Sequence, residues 1–332
     1  MKRTSLKDIA ERVGVSTALV SYVLNNKKEG RISKSVAARI RETAEALNYR
    51  TNQIAKGLKT SKTMTIGLVL ADISNPFSSA VARVIEDAAN ELQYTVLFGS
   101  ADENPDRFRR LVDIFRDRQV DGLILLPPNG VGEDIRRLYA QRVPFVQFDR
   151  YYPASPGNVV ALDNFAAARD ATSLLLSKGR QRIGLIAFES QLYHLHQRKL
   201  GYQQAHLQLG LTPDPSLIAE LGVHQLERTV PAAIDNLISK GVDGLFFVSN
   251  TLSAIALRHL NQLPIRVPDD LSVVSFDENE LLDLFYAPLT YVSQPLEAMG
   301  QKALELLLAC MENPQQISRI HFPATLVKRR SA

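Results

Sequence analysis

Leu6-Lys-Asp-Ile-Ala-Glu-Arg-Val-Gly-Val-Ser-Thr-Ala-Leu-Val-Ser-Tyr-Val-Leu-Asn25 holds two apolar stripes separated by a break. Leu6, Ile9, Ala10 and Val13 fall at the spacing of a helix with one buried face, and Gly14 ends the pattern. Ser16 stands where an N-cap opens a second helix, whose Leu19, Val20, Val23 and Leu24 would face inward. Two short helices across a tight turn containing Gly predict a helix-turn-helix. A third helix follows, with Ser33 as its expected cap and Val36, Ile40, Ala44 and Leu47 as the stripe that closes a three-helix core. These assignments leave Ser16, Thr17, Ala18, Ser21, Tyr22 and Asn25 for the outer side of the second helix. Most are short hydrogen-bonding residues, suited to base edges and phosphates when a helix lies in the major groove.

Charge agrees with that reading once it is divided along the chain. Residues 1 to 62 hold 14 Lys and Arg against five acids, a net of +9, whereas the other 270 residues hold 25 against 30, a net of −5. A basic head on a mildly acidic body is expected when only the head meets a polyanion. Residues 50 to 63 are polar, basic and poor in apolar anchors, so they read as a hinge that cannot bury enough surface to fold alone.

From residue 64 the pattern changes to β-branched strands alternating with helical stretches. Thr65-Ile-Gly-Leu-Val-Leu-Ala71, Thr95-Val-Leu-Phe-Gly99, Gly122-Leu-Ile-Leu-Leu126 and Phe145-Val-Gln-Phe148 form one series. Arg182-Ile-Gly-Leu-Ile186, Leu217-Ile-Ala-Glu-Leu221, Gly244-Leu-Phe-Phe-Val248 and Leu271-Ser-Val-Val-Ser-Phe276 form a second. Such alternation predicts buried parallel strands with crossover helices, and two series predict two doubly wound α/β lobes. Ligands of open parallel sheets bind beyond the carboxyl ends of the strands, so two lobes can share a cleft. Asp72 to Phe77, Asp149, Arg150, Ser249, Asn250 and Asp277 all follow predicted strands. Carboxylates, Arg and Asn near an aromatic suit a hydroxyl-rich ring, although Asn75 before Pro76 also reads as a plain helix cap.

The head resembles that of the lactose/galactose repressor family of bacterial transcription regulators. Leu47-Asn-Tyr-Arg-Thr-Asn52 and Ile54-Ala-Lys-Gly-Leu58 resemble its hinge, with Thr51 in place of the usual proline. The resemblance implies that Thr17, Ala18 and Tyr22 read bases and that Ser16, Ser21 and Asn25 sit on phosphates. It also implies DNA contacts from the hinge, at Asn52 and at Leu58, an apolar wedge in the minor groove. In the body, Ser74-Asn-Pro-Phe77, Val120-Asp-Gly-Leu-Ile124, Arg198-Lys-Leu-Gly-Tyr202 and Leu289-Thr-Tyr-Val-Ser-Gln294 are similar to family motifs. Carried over, Asn75, Phe77, Asp149, Arg150, Arg198, Asn250, Asp277 and Gln294 line an effector cleft in a body like that of periplasmic binding proteins. Asp277-Glu-Asn-Glu-Leu-Leu-Asp283 resembles the fructose-repressor branch, which implies a sugar or sugar phosphate.

The expected organisation is therefore a helix-turn-helix domain over 1–49, a hinge over 50–63 and an effector-binding and dimerisation domain over 64–332. Its first lobe is expected to span about 64–161 and 291–321, and its second about 162–290 plus the C-terminal strand. The expected partners are double-stranded operator DNA, a small-molecule effector and a second copy of the chain, with no membrane and a cytoplasmic location. No cofactor and no catalytic residue are expected, because the phosphate loop, dinucleotide fingerprint and nucleophile elbow are missing. His194 and His196 alone make a weak metal pair, and Cys310 reads as a core residue. A solute-binding protein without a role on DNA would share the two-lobed body, but the basic head speaks against it.

Overall fold

The computed structural model describes residues 4–26, 31–49 and 62–332. The chain divides into two units, Met1–Thr63 and Met64–Ala332. In the first, helices α1 (Leu6–Val13), α2 (Thr17–Leu24) and α3 (Lys34–Ala46) enclose Ile9, Ala10, Val13, Val20, Val23, Ile40 and Ala44. Ser5 and Asp8 form a capping box at the start of α1, each side chain satisfying the other's backbone N–H. Gly14 ends α1 at φ +78°, a left-handed conformation that favours glycine, and its N–H reaches the Ala10 carbonyl at 2.9 Å. Ser16 caps α2 as expected, accepting from the Leu19 N–H at 3.2 Å. Ser33 occupies the N-cap position of α3 without making the capping bond, because its hydroxyl pairs instead with that of Ser35 at 2.7 Å.

The second unit contains two six-stranded sheets of matching topology. The first is β11 (Arg319–Phe322), β5 (Asn158–Leu162), β4 (Phe145–Phe148), β3 (Gly122–Leu125), β1 (Thr65–Leu70) and β2 (Thr95–Ser100), all parallel. The second is β12 (Thr325–Val327), β10 (Thr290–Ser293), β9 (Ser272–Phe276), β8 (Gly244–Phe247), β6 (Ile183–Phe188) and β7 (Ile218–Leu221). Here only the short β12 runs antiparallel, against β10. Strands β3, β4, β5, β8 and β9 are buried along their whole length, and all but β5 are read from the sequence as apolar runs.

Helices α4 (Pro76–Glu91) and α12 (Leu296–Glu312) cover one face of the first sheet, and α5 (Pro105–Asp117) and α6 (Gly132–Ala140) supply the core on its other face. The second sheet is clothed by α7 (Asn164–Ser177), α8 (Tyr193–Gln208), α9 (Leu226–Ser239) and α10 (Asn250–Leu260), with the single turn α11 (Leu281–Leu284) beyond β9. Helices α7 and α8 pack closely because residue 201 has no side chain: a Cβ there would lie 2.3 Å from the Phe165 carbonyl oxygen. Cys310 is buried in α12, and burial raises its thiol above the ordinary range.

The chain crosses between lobes three times, after β5, after β10 and after β11. Strand β10 pairs with β9 in the second sheet, so the return to the first lobe falls after Ser293 and not at the expected 291. Strand β7 starts at Ile218, one residue late, because Leu217 closes a short turn that Asp214 caps. Among the described residues no helix is long and apolar enough to cross a membrane.

Candidate DNA interface and ligand cleft

Residues Ser16, Thr17 and Ala18 form the exposed first turn of α2, while Ser21, Tyr22 and Asn25 are half-buried further along it. Val20 and Val23 fix the orientation by burying the opposite side. Asn25 spends its amide on its own helix, donating to the Ser21 carbonyl at 2.8 Å. The structure thus brings together six of the eight residues expected at DNA. Asn52 and Leu58 lie outside the described residues.

In the body, both lobes send groups from strand ends into one buried cluster. Asp149 follows β4 and Asp277 follows β9, equivalent positions in the two sheets. Both adopt a left-handed backbone, at φ +61° and +69°, and each donates its N–H to the next strand, at Val160 and Val292. Arg198 of α8 lies between them in charge terms. Its Nη1 is 3.9 Å from the Asp277 carboxylate and 2.7 Å from the Val248 carbonyl, and its Nε donates to Asn164 Oδ1 at 2.8 Å. The guanidinium also rests 3.5 Å above the Phe276 ring, a cation–π contact made away from water. Gln294 donates to Asp277 Oδ1 at 2.6 Å.

Burial raises the Asp149 pKa to about 6. Arg198 and Arg150 pull it down, and Asp277 and Glu103 push it up. Asp277 is raised by the same burial, against Arg198 and the Gln294 hydrogen bond. Arg150 is held mainly by Glu103, with two contacts of 2.6 and 2.9 Å, and stands 3.9 Å from Asp149. Burial and the two arginines keep His194 well below its ordinary value, hence neutral. Three buried atoms here lack a hydrogen-bond partner: Asp149 Oδ1, Gln294 Oε1 and His194 Nδ1. Buried polar atoms are rarely left so, and a cluster of them is what a ligand would complete.

Around this cluster the lobes touch directly. Asn75 caps α4 through the Phe77 N–H at 3.0 Å, and the same oxygen accepts from Asn250 Nδ2 of the other lobe at 3.1 Å. Asn129 donates to Ser190 at 3.2 Å, and the rings of Tyr151 and Tyr193 meet edge-on at 5.1 Å. Phe77 is half-buried against the first lobe's core. Seven of the eight cleft residues expected from the sequence sit at strand ends or helix starts of the one body, with Asn75 serving both as a cap and as a bridge, and Arg198 lies in the second turn of α8. Sequence reading missed Asn164, because it opens α7 two residues past the unrecognised β5, and it treated His194 only as half of a metal pair. His194 is buried and His196 exposed, and among the described residues no group of three or more potential ligands could hold a metal.

Residues 5–52 match the family described as bacterial regulatory proteins, lacI family. Residues 66–219 and 172–332 match two families of periplasmic binding protein-like domains. The ribose operon repressor of Halalkalibacterium halodurans is 30% identical over 99% of this chain and 97% of its own length. A cellobiose complex of the transcriptional regulator CelR is 25% identical, with a TM-score of 0.73 over 99% of this chain and 100% of that one. The lac repressor dimer bound to operator and an anti-inducer superposes with a TM-score of 0.87 over 99% of both chains at 22% identity.

Proposed function

The chain belongs to the lacI family of bacterial regulatory proteins and is a DNA-binding transcription regulator, and from that premise we propose that it represses its targets in the cytoplasm as a homodimer released or retained by a sugar. Two copies would place two α2 helices in successive major grooves of a near-palindromic operator. Thr17, Ala18 and Tyr22 would meet base edges, Ser16, Ser21 and Asn25 the phosphates, and the hinge residues Asn52 and Leu58 the minor groove. The relatives named for ribose and cellobiose support a saccharide effector.

The sensing reading rests on one observation, the buried Arg198–Asp277–Asp149 cluster that draws on both lobes and leaves three polar atoms unpartnered. A ligand completing those bonds favours one arrangement of the lobes and shifts operator affinity by the ratio of its affinities for the two arrangements. Ala18→Glu in the full chain tests the assignment of the two sites. A carboxylate on the exposed first turn of α2 would face the DNA phosphates, so operator affinity should fall at least 100-fold while ligand-induced stabilisation persists. Unchanged operator binding would remove α2 from the interface.

A further inference from the structure

We propose that the cleft accepts an uncharged, hydroxyl-rich ligand and rejects its phosphate ester, because the groups around Arg198 already balance each other's charge and those left open accept hydrogen bonds. This deepens the sensing reading above and rests on it. A phosphate group needs cations or backbone N–H groups with bonding capacity to spare. The cleft has two arginines, both committed. Arg150 is clamped on Glu103, and Arg198 is shared among Asn164, the Val248 carbonyl, the Phe276 ring and Asp277. Against these two positive groups stand three acids, Glu103, Asp149 and Asp277, so a phosphate dianion would enter a field with no positive surplus.

Two helix starts beside the cleft are already capped, and α8, which opens at Tyr193 without a side-chain cap, carries the neutral His194 in its first turn. Asn75 fills the first turn of α4 by accepting from the Phe77 N–H, and Ser249 does the same for α10 at the Leu252 N–H. What stands open is of the opposite kind. Asp149 Oδ1 and Gln294 Oε1 are buried acceptors, and His194 Nδ1 belongs to a neutral ring that can donate or accept but brings no charge. Hydroxyl groups supply donors to all three. A dianionic phosphate supplies none.

The test is calorimetric titration of the full chain with D-ribose, D-fructose, D-glucose, cellobiose and uncharged nucleosides, each monosaccharide and nucleoside beside its phosphate ester, with inorganic phosphate as competitor. The expected result is binding of at least one uncharged compound, at least 30-fold weaker binding of its ester, and no displacement by 10 mM phosphate. Asp149→Asn should narrow the gap between sugar and ester at least threefold, since it removes one negative group. Its backbone at φ +61° suits asparagine, so the variant should fold. An ester that binds as tightly as its parent, or a gap unmoved by Asp149→Asn, overturns the charge argument and leaves the sensing reading in place. An uncharged ligand that binds without altering operator affinity overturns the sensing reading and leaves the site's charge preference standing. Failure of every compound to bind overturns both.

Discussion

Arg198→Met removes the charge at the centre of the cleft while keeping an unbranched apolar chain against Phe276. The Arg198 side chain is 3% exposed and that of Asp277 10%, so solvent screens the pair little. Removing one partner of a buried ion pair costs about 3–5 kcal/mol, because the other charge stays buried and uncompensated. Asp277 keeps its bond from Gln294, and Asp149 can take up a proton, which favours the lower end, about 3 kcal/mol. For a domain of this size that corresponds to roughly 6–12 °C in melting temperature.

The pH dependence distinguishes lost charge from lost packing. Both carboxyls have folded pKa values raised above their unfolded ones, so each stabilises the fold below its unfolded pKa and loses that contribution as pH rises through the folded value. Without Arg198 to hold them down, both folded values rise further. The deficit of the variant should therefore be largest at pH 8 and shrink by at least half toward pH 5, as followed by circular dichroism melts of the full chain. A deficit that is independent of pH, or smaller than about 2 °C throughout, would refute the electrostatic reading of the cluster.

Gly201→Ala should destabilise the body by about 3 kcal/mol or more, since the new methyl would meet two backbone atoms of α7, the Phe165 oxygen at 2.3 Å and the Arg169 nitrogen at 2.8 Å; a melt equal to wild type would contradict the close helix contact. Leu58→Ala, in the segment outside the described residues, should weaken operator binding about tenfold by anisotropy, and equal affinity would remove the minor-groove wedge. Binding of an uncharged polyol should tighten as pH rises from 5 to 7 and release protons. Asp149, with a pKa of about 6 among Arg198, Arg150, Asp277 and Glu103, accepts from hydroxyls best when ionised. Calorimetry in two buffers of different ionisation enthalpy reads that proton release directly, and proton uptake would reverse the assignment.

How much was legible in the sequence depended on whether a feature was local. The stripe Leu6-Ile9-Ala10-Val13, the Gly14 break and the Ser16 cap are set by contacts within a few residues, and they appear as read. Strands buried on both faces announce themselves as apolar, largely β-branched runs, which is why β1, β3, β4, β6, β8 and β9 were found; the edge strands β2 and β7 were read from their apolar residues alone. Strand β5 is a short apolar run that begins with Asn158, whose carboxamide oxygen accepts from the Ser318 N–H 160 residues away, and that polar start hid it. Strand β11 alternates exposed and half-buried residues at a sheet edge, and β12 is only three residues long. Asp149 and Asp277 follow β4 and β9, as the local pattern suggested, but the partnerships of Arg198 with Asn164 and of Asn75 with Asn250 join positions 34 and 175 residues apart. Ser33 shows the converse: a correct cap position whose capping bond is lost to a neighbour two residues on.

The coupling between cleft and head is tested most directly by the affinity of the full chain for an operator duplex selected from a random pool, measured by anisotropy with and without a saturating sugar identified by calorimetry. A change of about 5–150-fold is expected, the range of ordinary allosteric coupling energies, and it should vanish in Arg198→Met. The same operator affinity with and without a bound sugar would contradict control of the DNA-binding head by the cleft.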